Sequence, residues 1–108
     1  MAYGEAYVRR TYNRFRSRYF HDDSLPDFSE LDFEFEEAPS EWGSVEWDRH
    51  GNPSLSLHPV TRLDASSLKG ALLHEMAHIK LGAKLGHGAA FWREAHRIHL
   101  LGAYREYF

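Results

Sequence analysis

The stretch Ala71-Leu72-Leu73-His74-Glu75-Met76-Ala77-His78-Ile79 decides how the rest of the chain is read. Leu68, Leu72, Met76 and Ile79 recur at helical spacing, so it reads as a helix with one apolar, core-facing stripe. On a helix, residues four apart lie about 40° apart around the axis and one turn apart along it. His74 and His78 therefore point the same way, and two imidazoles can reach one metal ion. Glu75 is rotated from His74 by about 100°. Its carboxylate can approach a metal-bound water without taking a coordination position. A zinc hydrolase needs these parts: two nitrogen ligands, a third ligand from elsewhere, and a carboxylate to accept the water's proton.

With eight His in 108 residues, His-Glu-x-x-His arises by composition alone in roughly one such chain in twenty. Its surroundings therefore matter. More histidines follow downstream, and one of them, His87, stands between Gly86 and Gly88 directly before a new helix. The third ligand can come from His87, Glu94, His96 or His99. His87 has a simple geometric case: the first helix ends near Gly82, and a short glycine-containing loop can turn tightly enough to bring residue 87 back. Glu94 is the second choice, a residue that fits a solvated helix face equally well. His96 and His99 read as structural, and His21, His50 and His58 sit in turns or at strand ends with no role assigned. One longer zinc-protease motif is excluded, because Leu81 and Lys84 stand where it needs Gly and His.

Working outward, Asp64 is the expected N-cap of this helix, with Ser66 competing, and the helix runs from about Ala65 to Gly82. A last helix is expected from about Gly88 to Ala103, burying Phe91, Ala95, Ile98 and Leu101 or Gly102, before the aromatic tail Tyr104–Phe108. Upstream, Leu31-Asp32-Phe33-Glu34-Phe35-Glu36 alternates with period two, a half-buried strand. Gly43–Trp47 alternates again, Asp48–Pro53 is a turn cluster, and Ser54–His58 gives a third strand with Leu55 and Leu57 inward. Three such runs suggest an antiparallel meander with one wet face. Ser54–His58 would be its edge, beside the cleft. Residues 5–20 read as a helix with the stripe Val8, Tyr12, Phe15 and Tyr19. The expectation is a single α+β domain spanning 1–108: an N-terminal helix, a three-stranded antiparallel sheet, the zinc-site helix and a C-terminal helix.

Composition narrows the chemistry. At 43% hydrophobic and 15% aromatic the chain can bury a core, and without cysteine it has neither disulfides nor thiolate ligands, so any metal must use His, Asp or Glu. No apolar run approaches the roughly 18 residues of a membrane span. No signal-peptide core opens the chain, so a cytoplasmic location is the default expectation. The net charge of −3 argues against nucleic-acid binding by charge alone. Charge is uneven, however. Arg9, Arg10, Arg14, Arg16 and Arg18 face one acid, Glu5, in residues 1–20, whereas residues 22–48 hold eleven acids and no Lys or Arg. The favoured reading packs the basic helix beside the acidic segment; a weak DNA contact through that helix is the competing one.

Leu72-Leu73-His74-Glu75-Met76-Ala77-His78, then Gly86-His87-Gly88-x-x-Phe91, then His96-Arg97-Ile98, resembles the SprT-like (Spartan-type) zinc metalloprotease domain. Gly43, Gly51 and Leu55-x-Leu57-x-Pro59 are similar to the glycine-punctuated strands that precede its zinc helix. The loop from His78 to His87 is shorter than in the Spartan proteins. It is closer in length to the WLM and YgjP-like families of the wider zincin group. The resemblance implies a minimal zincin-like fold in which His74, His78 and His87 bind Zn2+ and Glu75 is the catalytic base. The implied activity is a zinc-dependent endopeptidase acting on protein or peptide substrates. An oxyanion donor is expected, with Tyr104 the candidate. Two other outcomes fit the same residues: a zinc-stabilised, non-catalytic binding module, and a latent protease closed by its own C-terminal tail.

Overall fold

Each helix starts and stops where its local chemistry dictates. The computed structural model describes residues 2–21, 25–37, 42–82 and 88–103. Helix α1 (Glu5–Phe15) buries Val8, Thr11, Tyr12 and Phe15 and runs into a π-helical turn, Arg16–Phe20, that buries Tyr19 and Phe20. The expected stripe is therefore buried throughout. His21, at φ 54°, ends it in a backbone region that L-residues seldom adopt. The returning chain is tied down by Tyr12, whose hydroxyl donates to the Pro26 carbonyl (2.7 Å), and by Arg16, whose Nε donates to the Leu25 carbonyl (3.0 Å).

The described residues form three strands, β1 (Asp32–Phe35), β2 (Gly43–Trp47) and β3 (Pro53–Leu57). Leu55 and Leu57 are fully buried, and Phe33, Phe35 and Val45 pack against the core from half-buried positions. Asp48 organises the β2–β3 turn by accepting from the backbone N–H groups of His50 (2.8 Å) and Asn52 (3.0 Å).

The sheet is mixed, and this corrects the expected antiparallel meander. Its order is β1-β3-β2, with β3 parallel to β1 and antiparallel to β2. The residues facing solvent give a physical reason. Asp32 and Glu46 both pair with Ser54, and Glu34 pairs with Ser56. A meander would set the acidic faces of β1 and β2 side by side, and like charges directly opposite are destabilising. The serine-bearing strand separates them. Ser54–His58 is accordingly not an edge; β3 is central, and β2 is the outer strand that packs against the helix bearing His74 and His78.

Helix α2 (Ala65–Leu81) is capped by Asp64, whose side chain accepts from the N–H groups of Ser66 and Ser67. It buries Leu68, Leu72, Met76 and Ile79 as expected, packs on β2 and β3, and supports both α1 and α3. Helix α3 (Ala89–Leu100) buries Phe91, Ala95 and Ile98. Leu101 is half exposed, and Ala103 takes the buried place instead, because Gly102 at φ 92° turns the chain out of the helix. The fold is thus α+β, as expected, with its helices gathered around α2.

Candidate metal centre

The centre begins with how α2 is launched. His58 accepts from the Val60 N–H through Nδ1 (3.1 Å) and caps the 3-10 turn Pro59–Leu63, whose Thr61 hydroxyl donates back to the His58 carbonyl (2.7 Å). His58, given no role from sequence, is a capping residue. Asp64 then opens α2 with its buried stripe against the sheet. That rotation leaves His74 exposed and His78 half-buried.

The two imidazoles converge. Nε2 of His74 and Nε2 of His78 lie 3.3 Å apart. Two nitrogens bound at 2.0–2.1 Å with a tetrahedral angle between them are about 3.3–3.4 Å apart. The pair therefore has the bite of a bidentate zinc chelate.

Glu75 is turned away from solvent, at 6% exposure. It lies against the first residue of β2: a Cβ built on Gly43 would stand 3.1 Å from Cγ of Glu75. The same Cβ would meet Cδ2 of Leu57 at 3.0 Å and the Ser56 carbonyl oxygen at 3.1 Å. Gly43 is thus a glycine for steric reasons. The chain shows it as a strand glycine, but only the packing of α2 on β2 shows what it makes room for.

Phe91, 3% exposed, closes the other side of the pair. Its ring centroid is 4.7 Å from that of His78, nearly stacked at 27°, and 4.9 Å from that of His74 at 56°.

Glu94 is placed differently from a ligand. Its carboxylate, on a residue 6% exposed, accepts from Lys80 Nζ (2.8 Å), Arg97 Nε (3.0 Å) and Arg97 Nη2 (2.6 Å). Burial works to raise its pKa, but the hydrogen bonds from Arg97 and then Lys80, with the positive charges behind them, outweigh it and hold the carboxyl below its ordinary value. Arg97 Nη2 also donates to the Tyr19 carbonyl (2.6 Å). The second-choice ligand is thus the hub of an ion-pair network joining α2, α3 and the end of the N-terminal helix.

His87, the expected third ligand, lies outside the described residues, as does Tyr104. Among the described residues no group of three His, Asp or Glu side chains is arranged to hold a metal. Gly88, next to His87, has extended backbone at φ −81°, and no atom of the described residues stands within 4 Å of where its Cβ would be. Gly82, at φ 90°, is the glycine that the turn after α2 requires. His96 and His99 are exposed on α3, with ring centroids 6.3 Å apart.

The basic helix is partly spoken for within the chain. Arg9 lies over the Phe28 ring and Arg14 over the Phe15 ring, and Arg16 reaches Asp27 in the acidic segment at 3.9 Å. No described helix is long and apolar enough to cross a membrane. No family model, curated protein or solved structure matches the chain.

Proposed function

We propose that this chain is a zinc-dependent endopeptidase of the SprT-like kind. His74, His78 and His87 would hold the metal, and Glu75 would serve as general base. The observation that supports this most directly is the 3.3 Å separation of the two Nε2 atoms, the bite of a tetrahedral chelate, with a carboxylate on the intervening residue. Zinc, when bound, supplies Lewis acidity and an acidified water. The rest falls to the chain. Glu75, one residue along from His74 and shielded from bulk water, takes a proton from the attacking water and returns it to the leaving amine.

The position of β2 suggests how substrate is held. Among the described residues it has a neighbouring strand on one side only, and its first residue lies beside Glu75. An extended peptide adding to that edge would bring its backbone past the base through main-chain hydrogen bonds. This replaces the route along Ser54–His58, whose strand is paired on both sides.

The non-catalytic alternative needs a fourth protein ligand. Glu94, one candidate for it, is committed to Lys80 and Arg97.

The deciding experiment pairs zinc stoichiometry with casein cleavage, wild type against Glu75→Gln. The expected result is one zinc in both proteins and turnover lower by at least about 10²-fold in the variant. Equal proteolysis by a pure Glu75→Gln sample removes Glu75 from the mechanism; a wild type that takes up no zinc removes the reading altogether.

A further inference from the structure

An imidazole on a helix has two side-chain torsions, and the second is broad. Two histidines one turn apart can each swing out of the position in which their Nε2 atoms converge. A metal that binds such a pair must first freeze it, and affinity rises when the protein has already done so. Something in this fold does that work from the faces of the rings, and the sequence shows it only as the aromatic of the Gly86-His87-Gly88-x-x-Phe91 stretch, with no role attached.

Phe91 touches both imidazoles: nearly parallel to His78 at 4.7 Å and inclined to His74 at 4.9 Å, while the two imidazoles are themselves 4.9 Å apart. The three rings form one cluster, with Phe91 on α3 and both histidines on α2. Phe91 has little freedom of its own. It is 3% exposed, and Trp92 meets it edge-on at 5.3 Å. Its helix is fixed by Glu94, three residues on, which binds Lys80, two residues past His78. His78, Lys80, Glu94 and Phe91 thus close a frame with two corners on each helix.

We propose that Phe91 is the positioning residue of the metal pair. Its ring holds the His74 and His78 imidazoles in the rotamers that converge on one ion, and the Glu94–Lys80 ion pair keeps Phe91 in place. The inference rests on the zinc-peptidase reading for its purpose, but not for its geometry.

The test compares Phe91→Leu and Phe91→Met with Ile98→Val, a core change on the same helix at a residue outside the ring cluster. Each protein is titrated with Co(II) and with Zn(II) at a temperature where circular dichroism shows it folded. Both Phe91 variants should lose about tenfold or more in metal affinity, the scale seen when groups that orient metal-binding histidines are removed. Their cobalt d–d spectrum should also change in shape. Ile98→Val should lower the melting temperature and leave affinity and spectrum as in wild type. Phe91 variants that match wild type in both, or an Ile98→Val that weakens metal binding equally, overturn the proposal. Ring-proton NMR on metal-free wild type needs no variant. His78 ring protons shifted upfield by the Phe91 ring support the proposal, and unshifted, averaged positions overturn it. If wild type binds neither metal, the peptidase reading fails, and the ring shifts still decide whether Phe91 holds the pair.

Discussion

Gly43 and Glu75 share one space: Cγ of the glutamate lies 3.1 Å from where a side chain on Gly43 would begin. The edge strand and the proposed base are therefore in contact, and a methyl group at Gly43 must displace something. Of its three neighbours, the Ser56 carbonyl at 3.1 Å is backbone and cannot yield cheaply, whereas the Leu57 and Glu75 side chains can. Gly43→Ala should cost about 1–3 kcal/mol of stability, the range for overpacking. It should also lower kcat/KM more than it lowers zinc affinity, because His74 and His78 are not among the three nearest atoms. Denaturant melts, zinc competition and peptide cleavage measure the three quantities. Zinc affinity and turnover falling in parallel would mean that the strand supports the whole site and not Glu75 in particular.

The contrast between what spacing reveals and what it hides is clear in this centre. His74, Glu75 and His78 are neighbours on one helix, so 3.6-residue geometry alone sets their relation. The Asp64 cap, the buried stripes of α1 and α2 and that of α3 as far as Ile98 follow from equally local chemistry. Strand order is not local. Alternation locates the three strands and the inward Leu55 and Leu57 of β3, but it carries no information about which strand lies between the other two. The serines that separate the acidic strands explain the order only once the register is known. Glu94 was ambiguous for the same reason. Its partners are Lys80, fourteen residues back, and Arg97, which also reaches the Tyr19 carbonyl, seventy-eight residues away.

The Glu94 network has a pH signature. The folded carboxyl is held below its ordinary value of 4.5. A depressed carboxyl contributes stability that is fully present above the unfolded value and is lost as pH falls through the folded one. Glu94→Gln should therefore cost about 1–3 kcal/mol near neutrality, the scale for a buried charged acceptor replaced by a neutral one. The gap between the two melting curves should narrow as pH drops below about 4.5, where wild-type Glu94 also becomes neutral. Thermal melts of both proteins from pH 7 to pH 3 check this. A gap that stays constant to pH 3 would show that the variant's cost is steric.

The third ligand separates His87 from Glu94. If His87 completes the centre, His87→Ala should lower zinc affinity by more than about tenfold, since losing a direct ligand costs at least as much as losing a group that orients one. Glu94→Gln should cost less, because its carboxylate is occupied by Lys80 and Arg97. Competition with a chromogenic zinc chelator measures both. The reverse ranking would transfer the ligand role to Glu94 and require its ion pairs to break on metal binding.

Strand β2 makes a prediction about substrate. A peptide held on the edge of β2 that no described strand covers would be bound mainly through its backbone, so the identity of most side chains should matter little. Each main-chain hydrogen bond removed should matter more: at about 1–1.4 kcal/mol apiece, N-methylation of one bonded amide should lower kcat/KM by roughly five- to tenfold. Methylation would also show a period of two along the peptide, because alternate amides of an added strand face β2 and the rest face solvent. A scan of singly N-methylated versions of one cleaved peptide, alongside sequence-shuffled controls, reads both effects. Strong dependence on shuffling with no alternation in the methylation scan would place recognition in side-chain pockets and remove β2 from the substrate path.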